Sequence, residues 1–215
     1  MKKIQIDIVS DVVCPWCIIG YKRLEMALAA LSDKLEAEIH WHPFELNPAM
    51  GNKGQDLREH LHEKYGTTRE DSILARQNLT QLGQDVGFQF NFYDEMRIYN
   101  TRKAHQLLMW ASGEGKQFEL EMRLFKAYFS EQKDVSNSAQ LIECAKQVGL
   151  DPEIAEMVIN DQGWAESVVH TERQWVDAGI HAVPAFIINQ RHLISGAQTS
   201  ENFISALKQI TENIH

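Results

Sequence analysis

Between residues 3 and 31 an alternating apolar pattern gives way to a helical one, and the switch falls on two closely spaced cysteines. In Lys3–Val9 the side chains Ile4, Ile6 and Ile8 recur at every second residue, the spacing of a strand. After Ser10-Asp11-Val12-Val13, residues Ile18, Tyr21, Leu24, Leu28 and Leu31 recur at every third or fourth position, the spacing of a helix. Cys14-Pro15-Trp16-Cys17 therefore stands at a helix start, with Pro15 in the first turn, where proline costs no hydrogen bond. Residues Ala37–His42 alternate again and Pro43 stops them, so the opening predicts β-α-β.

The other end has the complementary pattern. Ala185–Asn189 and His192–Ser195 are short apolar runs joined by a turn at Gln190-Arg191. A helix follows Gly196, with Thr199 as N-cap and Phe203, Leu207 and Ile210 on its buried face. This end predicts β-β-α. The middle predicts helices over about 56–65, 68–86, 100–112, 116–129, 138–148, 152–159 and 164–178, four of them closed by Gly66, Gly87, Gly149 and Gly179. No repeat or low-complexity linker interrupts the chain. The expected class is α/β, with residues 1–54 and 180–215 forming one discontinuous unit and 55–179 an all-helical insertion.

Two cysteines three apart on a helix share a face, so their sulfurs can meet. The first lies over unsatisfied amides at the positive end of the helix dipole, an environment that brings a cysteine pKa from about 8.5 to roughly 3.5–7.5. The second, one turn further in, is more shielded. That assigns nucleophilic attack to Cys14 and resolution to Cys17. Two other readings compete. The pair could be half of a zinc site completed by His40 and His42, which share a strand face, although structural zinc needs four ligands and there is no second Cys-x-x-Cys. It could also be incidental core cysteine. Cys144, in a helix with Leu141, Ile142, Ala145 and Val148, reads as a small core residue.

Composition narrows the partners. With 21 Lys and Arg against 30 Asp and Glu the net charge is −9, and no basic cluster exceeds Lys2-Lys3. The footprint of a nucleic-acid or anionic-membrane binder is missing. No run approaches the roughly 18 apolar residues of a membrane span. Asp7 and Asp11 break up the N-terminal apolar stretch, so it does not read as a secretory signal and a cytoplasmic location is expected. Three cysteines are no disulfide framework, which favours a working pair.

The segment Ser10-Asp11-Val12-Val13-Cys14-Pro15-Trp16-Cys17 resembles the active-site segment of DsbA-like thioredoxin-fold proteins, in particular the FrnE-like branch. The similarity continues through Pro43–Pro48, Asn100–Leu107, Leu124–Phe129, Val183–Phe186 and Ser195–Gln198, spanning almost the whole chain. It implies a thioredoxin fold split by a helical insertion and a cis Val183–Pro184 peptide packed against the cysteines. It also implies that the backbone of Val183 can pair with an extended substrate strand. Trp16 is expected as an exposed platform, and His105 and Asn100 as residues lining the cleft. His181 could approach the sulfurs or bond locally. Two positions depart from the family pattern: Ala182 stands where glycine is common before Val-Pro, and Met50 where a proline is common.

The resemblance implies a thiol–disulfide oxidoreductase acting on protein or peptide thiols and disulfides, with isomerisation a further outcome. No cofactor is expected, although glutathione could serve as a co-substrate. Relatives of the branch include glutathione-dependent enzymes such as 2-hydroxychromene-2-carboxylate isomerase. These usually lack the second cysteine, which this chain keeps. A zinc-binding or chaperone-like module is the third reading.

Overall fold

The computed structural model describes residues 1–212; the last three residues of the expected segment 180–215 lie outside it. The opening forms β1 (Lys2–Ser10), α1 (Pro15–Ala30) and β2 (Leu35–Pro43). A two-residue strand β3 (Gln55–Asp56) precedes the helices α2 (Leu57–Tyr65) and α3 (Arg69–Asp85). After another two-residue strand, β4 (Arg97–Ile98), come α4 (Arg102–Gly113), α5 (Gln117–Phe129), α6 (Ser138–Gln147), α7 (Pro152–Asn160) and α8 (Gln162–Asp177). The chain finishes with β5 (Ala185–Ile188), β6 (His192–Ser195) and α9 (Ser200–Glu212).

The main sheet has the order β2-β1-β5-β6, with β1 parallel to β2 and antiparallel to β5. Because successive side chains of a strand point to opposite faces, β1 feeds two packed layers. Ile4, Ile6 and Ile8 join Leu24 of α1 and Phe203 and Leu207 of α9 in the main core. Val9, on the opposite face, packs with Phe44, Ile180, Ala185 and Ile187, against which Trp175 of α8 lies. The alternation suggested one apolar face only, but Asp7 is also buried. It survives there because Gln5 Nε2 and His42 Nε2 bond its carboxylate, the latter at 2.8 Å.

The inserted helices do not form a separate core. Leu107 and Ala111 of α4 and Leu124, Phe125 and Phe129 of α5 belong to the same buried cluster as Ile6, Ile18 and Phe203. Trp41 of β2 is the hinge of that cluster, with its ring centroid 5.1 Å from Tyr21 and 6.3 Å from Phe125. Predicted helix limits hold to within two residues. The two-residue β3–β4 ladder is an addition, too short to show a period of two in the sequence.

Helix α1 approaches the β5–β6 end closely at Gly20. A Cβ there would lie 3.1 Å from the Phe186 ring and 3.2 Å from both the Pro184 ring and the Ala197 backbone. None of these neighbours is the free end of a flexible chain. Gly20→Val should therefore destabilise the protein by roughly 1–3 kcal/mol, despite valine's better helix propensity, read as a lower urea midpoint.

Candidate active site

Strand β1 ends at Ser10 and the chain turns through a bond from the Cys14 amide to Asp11 O (2.9 Å). Cys14 is the N-cap of α1 and Pro15 follows in the first turn, as the sequence suggested. The Cys14 side chain makes no capping bond, which leaves its sulfur free to face the neighbouring loop. There the thiol points to Val183 O at 3.9 Å. The Val183–Pro184 peptide is cis, Pro184 is buried, and Gly196 N–H donates to Pro184 O at 2.9 Å, tying the loop to the sheet. Both cysteines are free thiols; Cys14 is 4% exposed and Cys17 fully buried, while Trp16 between them is 41% exposed.

Burial pushes the Cys17 thiol well above its ordinary pKa, and its contact with Cys14 pushes it further. The Asp11 backbone and the Ser10 hydroxyl act the other way and favour the thiolate. Ser10 leads on to a buried acid, since its hydroxyl donates to Glu121 Oε1 of α5 at 3.2 Å. Burial raises the Glu121 carboxyl to about 7, and Asp11 adds to this, although His105 and Ser10 pull it down.

Asp11 lies at the centre of a wider network. Its Oδ2 accepts from Leu46 N at 2.8 Å, and its Oδ1 lies 3.5 Å from His105 Nε2. That second approach is an ion-pair contact, because the same His105 nitrogen donates to Phe44 O at 3.2 Å. Burial disfavours the His105 imidazolium, but Asp11, Glu121 and Glu45 together outweigh it and raise the pKa. Glu45 is held by Arg102 of α4, and its backbone amide donates to Glu172 of α8 at 3.1 Å. Three helices of the insertion thus supply charged groups around the end of β1.

The expected site residues fall into distinct places. Cys14, Cys17, Val183 and Pro184 come together, with Trp16 at the surface beside them. His105 is buried beneath this group against Asp11, and does not line an open cleft. Asn100 is committed to the chain: its Oδ1 caps the start of α4 through Arg102 N at 3.0 Å and its Nδ2 donates to Pro48 O. It borders a cavity of about 430 Å³ with Lys103 and Asp134 that contains neither cysteine. His181 is exposed. Among the described residues no three His, Cys, Asp or Glu side chains converge as metal ligands, so His40 and His42 do not complete a site with the cysteines. His40 instead lies near Glu38 and His42 binds Asp7. Sequence reasoning missed Ser10, Asp11 and Glu121 as members of the site. Glu121 had a visible signal: it sits on the apolar stripe of its helix with Leu124, Phe125 and Tyr128.

Residues 5–208 match the DSBA-like thioredoxin domain family, and the chain belongs to that family. The fold is the thioredoxin fold with a helical insertion. A probable DsbA oxidoreductase of Streptomyces coelicolor is 30% identical, with a TM-score of 0.92 over 99% of this chain and 92% of that one. The uncharacterized protein YwbO of Bacillus subtilis is 25% identical over 95% of this chain and 96% of its own length. The cytosolic disulfide reductase DsbM of Pseudomonas aeruginosa, solved with glutathione, shares the fold at a TM-score of 0.64 and 15% identity. That match covers 97% of this chain and 99% of DsbM.

The raised pKa values give stability a pH dependence. Between an ordinary value of 4.5 and about 7, folded Glu121 holds a proton that the unfolded chain has lost. Stability therefore falls as pH rises through this window. His105 acts in the same direction, because the stability from its raised pKa is present below 6.5 and lost as pH rises through the folded value. Chemical denaturation at pH 5 and pH 8 should show Glu121→Gln losing less stability than wild type across the interval, by on the order of 1–3 kcal/mol.

Proposed function

We propose that the protein is a thiol–disulfide oxidoreductase with Cys14 as nucleophile and Cys17 as resolving thiol. One observation carries this reading: two free cysteines at the first turn of α1, the outer one facing Val183 O beside Pro184 and the inner one sealed from solvent. Cys14 sulfur attacks one sulfur of a substrate disulfide, forming a mixed disulfide and releasing the other substrate sulfur as thiolate. Cys17 then loses its proton and attacks the Cys14 sulfur. The Cys14–Cys17 disulfide forms, the second substrate thiol leaves, and two electrons have passed to the substrate. A dithiol or two molecules of a small thiol such as glutathione would restore the reduced pair.

The second step needs a proton acceptor, because Cys17 is buried with a raised pKa. Ser10 eases ionisation of that thiol and bonds Glu121, which makes Glu121 the acceptor we assign. A carboxyl near 7 can accept it at neutral pH and give it back when the disulfide is reduced. The half-buried Val183 next to Cys14 supplies backbone for an extended peptide, and Trp16 supplies an exposed apolar surface beside it. Protein or peptide disulfides are therefore the substrates we assign, in the cytoplasm. There the direction of electron flow follows the pair's potential against the thiol pool.

Reduction of insulin disulfides tests this directly. Cys14→Ser should abolish it, and Cys17→Ser should accumulate mixed disulfides that survive denaturing electrophoresis and disappear with dithiothreitol. Full turnover in Cys14→Ser would overturn the assignment. Glu121→Gln should leave the first step intact and slow release of the mixed disulfide by about 10-fold or more near pH 7.

A further inference from the structure

Away from the cysteines, helix α3 forms one wall of a cavity of about 580 Å³. Arg76, Gln77 and Thr80 of α3 line it, with Asn91 and Phe92 from the segment before β4 opposite and Arg58 of α2 at one end. Arg76 donates from Nη1 to Tyr93 O at 2.8 Å, but its Nε and Nη2 are shielded from solvent and have no acceptor. Those two donors form the side-on edge of the guanidinium, the pair spaced to hold two oxygens of one carboxylate or phosphate. Arg58 Nε beside them also lacks an acceptor, its Nη2 being taken by Asp94. A buried N–H without an acceptor is uncommon in a folded protein, and three on two neighbouring cations call for a partner.

Electrostatics point the same way. Burial lowers the Arg76 pKa and the Arg58 charge lowers it further, with Asp94 and Asp56 compensating only in part. The remaining wall side chains named above are neutral, so the lining itself carries two positive charges against Asp94, with Asp56 the further acid that acts on Arg76. We infer that the cavity between α3 and the segment before β4 binds an oxyanion, a phosphate or carboxylate group seated on the side-on edge of Arg76 and reached by Arg58. In the structure as it stands the donors lie just behind the cavity wall. Entry requires the Arg58–Asp94 pair to shift, which is a side-chain adjustment because the Asp94 side chain is 65% exposed. The cavity lining includes neither cysteine.

Thermal melting and calorimetric titration of the full-length protein with inorganic phosphate, succinate and chloride at matched ionic strength test the inference. A saturable rise in Tm with phosphate assigns a phosphorylated ligand, and one with succinate a carboxylate ligand; chloride should give neither. Arg76→Lys keeps the charge and loses the edge, so affinity should fall on the order of tenfold while insulin-disulfide reduction is unchanged. If that variant melts too low to titrate, Arg58→Lys reads the same site and should also weaken binding. No saturable response to either oxyanion in wild type, or equal affinity in wild type and the lysine variant, overturns the proposal.

Discussion

Strand β1 is hydrogen-bonded along both edges, to β2 through nine residues of parallel register and to β5 through four antiparallel pairs. A strand held on both sides cannot slip by one residue without turning its buried side chains inside out. Its end at Ser10 is consequently a fixed point, and the short turn to Cys14 inherits that precision. Cys14 at the cap, Cys17 one turn in and the Pro184 loop on the adjoining strand all take their positions from it. The same end holds Ser10 and Asp11, through which the helices reach the sulfurs.

What surrounds this point is unusual for a protein interior. Asp11, Glu45 and Glu121 are buried together, with His105 and Arg102 as the cations. Breaking one partner of such a set leaves an uncompensated buried charge, which costs more than the set contributes as a whole. Glu121 answers that pressure by holding a proton to about 7 instead of ionising fully. A group that titrates near neutrality and bonds Ser10 at the end of β1 is suited to exchanging protons with its surroundings.

Much of the architecture could be read from spacing alone. The period-two runs and the switch to a helical period at Cys14 gave β-α-β, and glycines gave the C-terminal ends of four helices. Neutral, local signals of this kind reflect backbone demands that do not depend on distant parts of the chain. The exceptions have a common cause. The His42 bond to Asp7, the packing of His105 against Asp11 and the Ser10 bond to Glu121 all join residues at least 35 positions apart. Asn100 shows the converse: a polar residue in a family-like block that turned out to satisfy its own helix start. No periodicity could separate these outcomes, because an acid on an apolar stripe looks the same whether it meets a partner or is forced out to water.

The insertion and the sheet share one buried cluster, with Trp41 bridging Tyr21 of α1 and Phe125 of α5. Helices packed this way are not an appendage that evolution can exchange as a cassette. A change in the outer helices must keep their inner faces fitted to Trp41 of the sheet. Substitutions on the exposed faces of those helices leave this shared packing untouched, whereas one on an inner face is felt in the sheet as well.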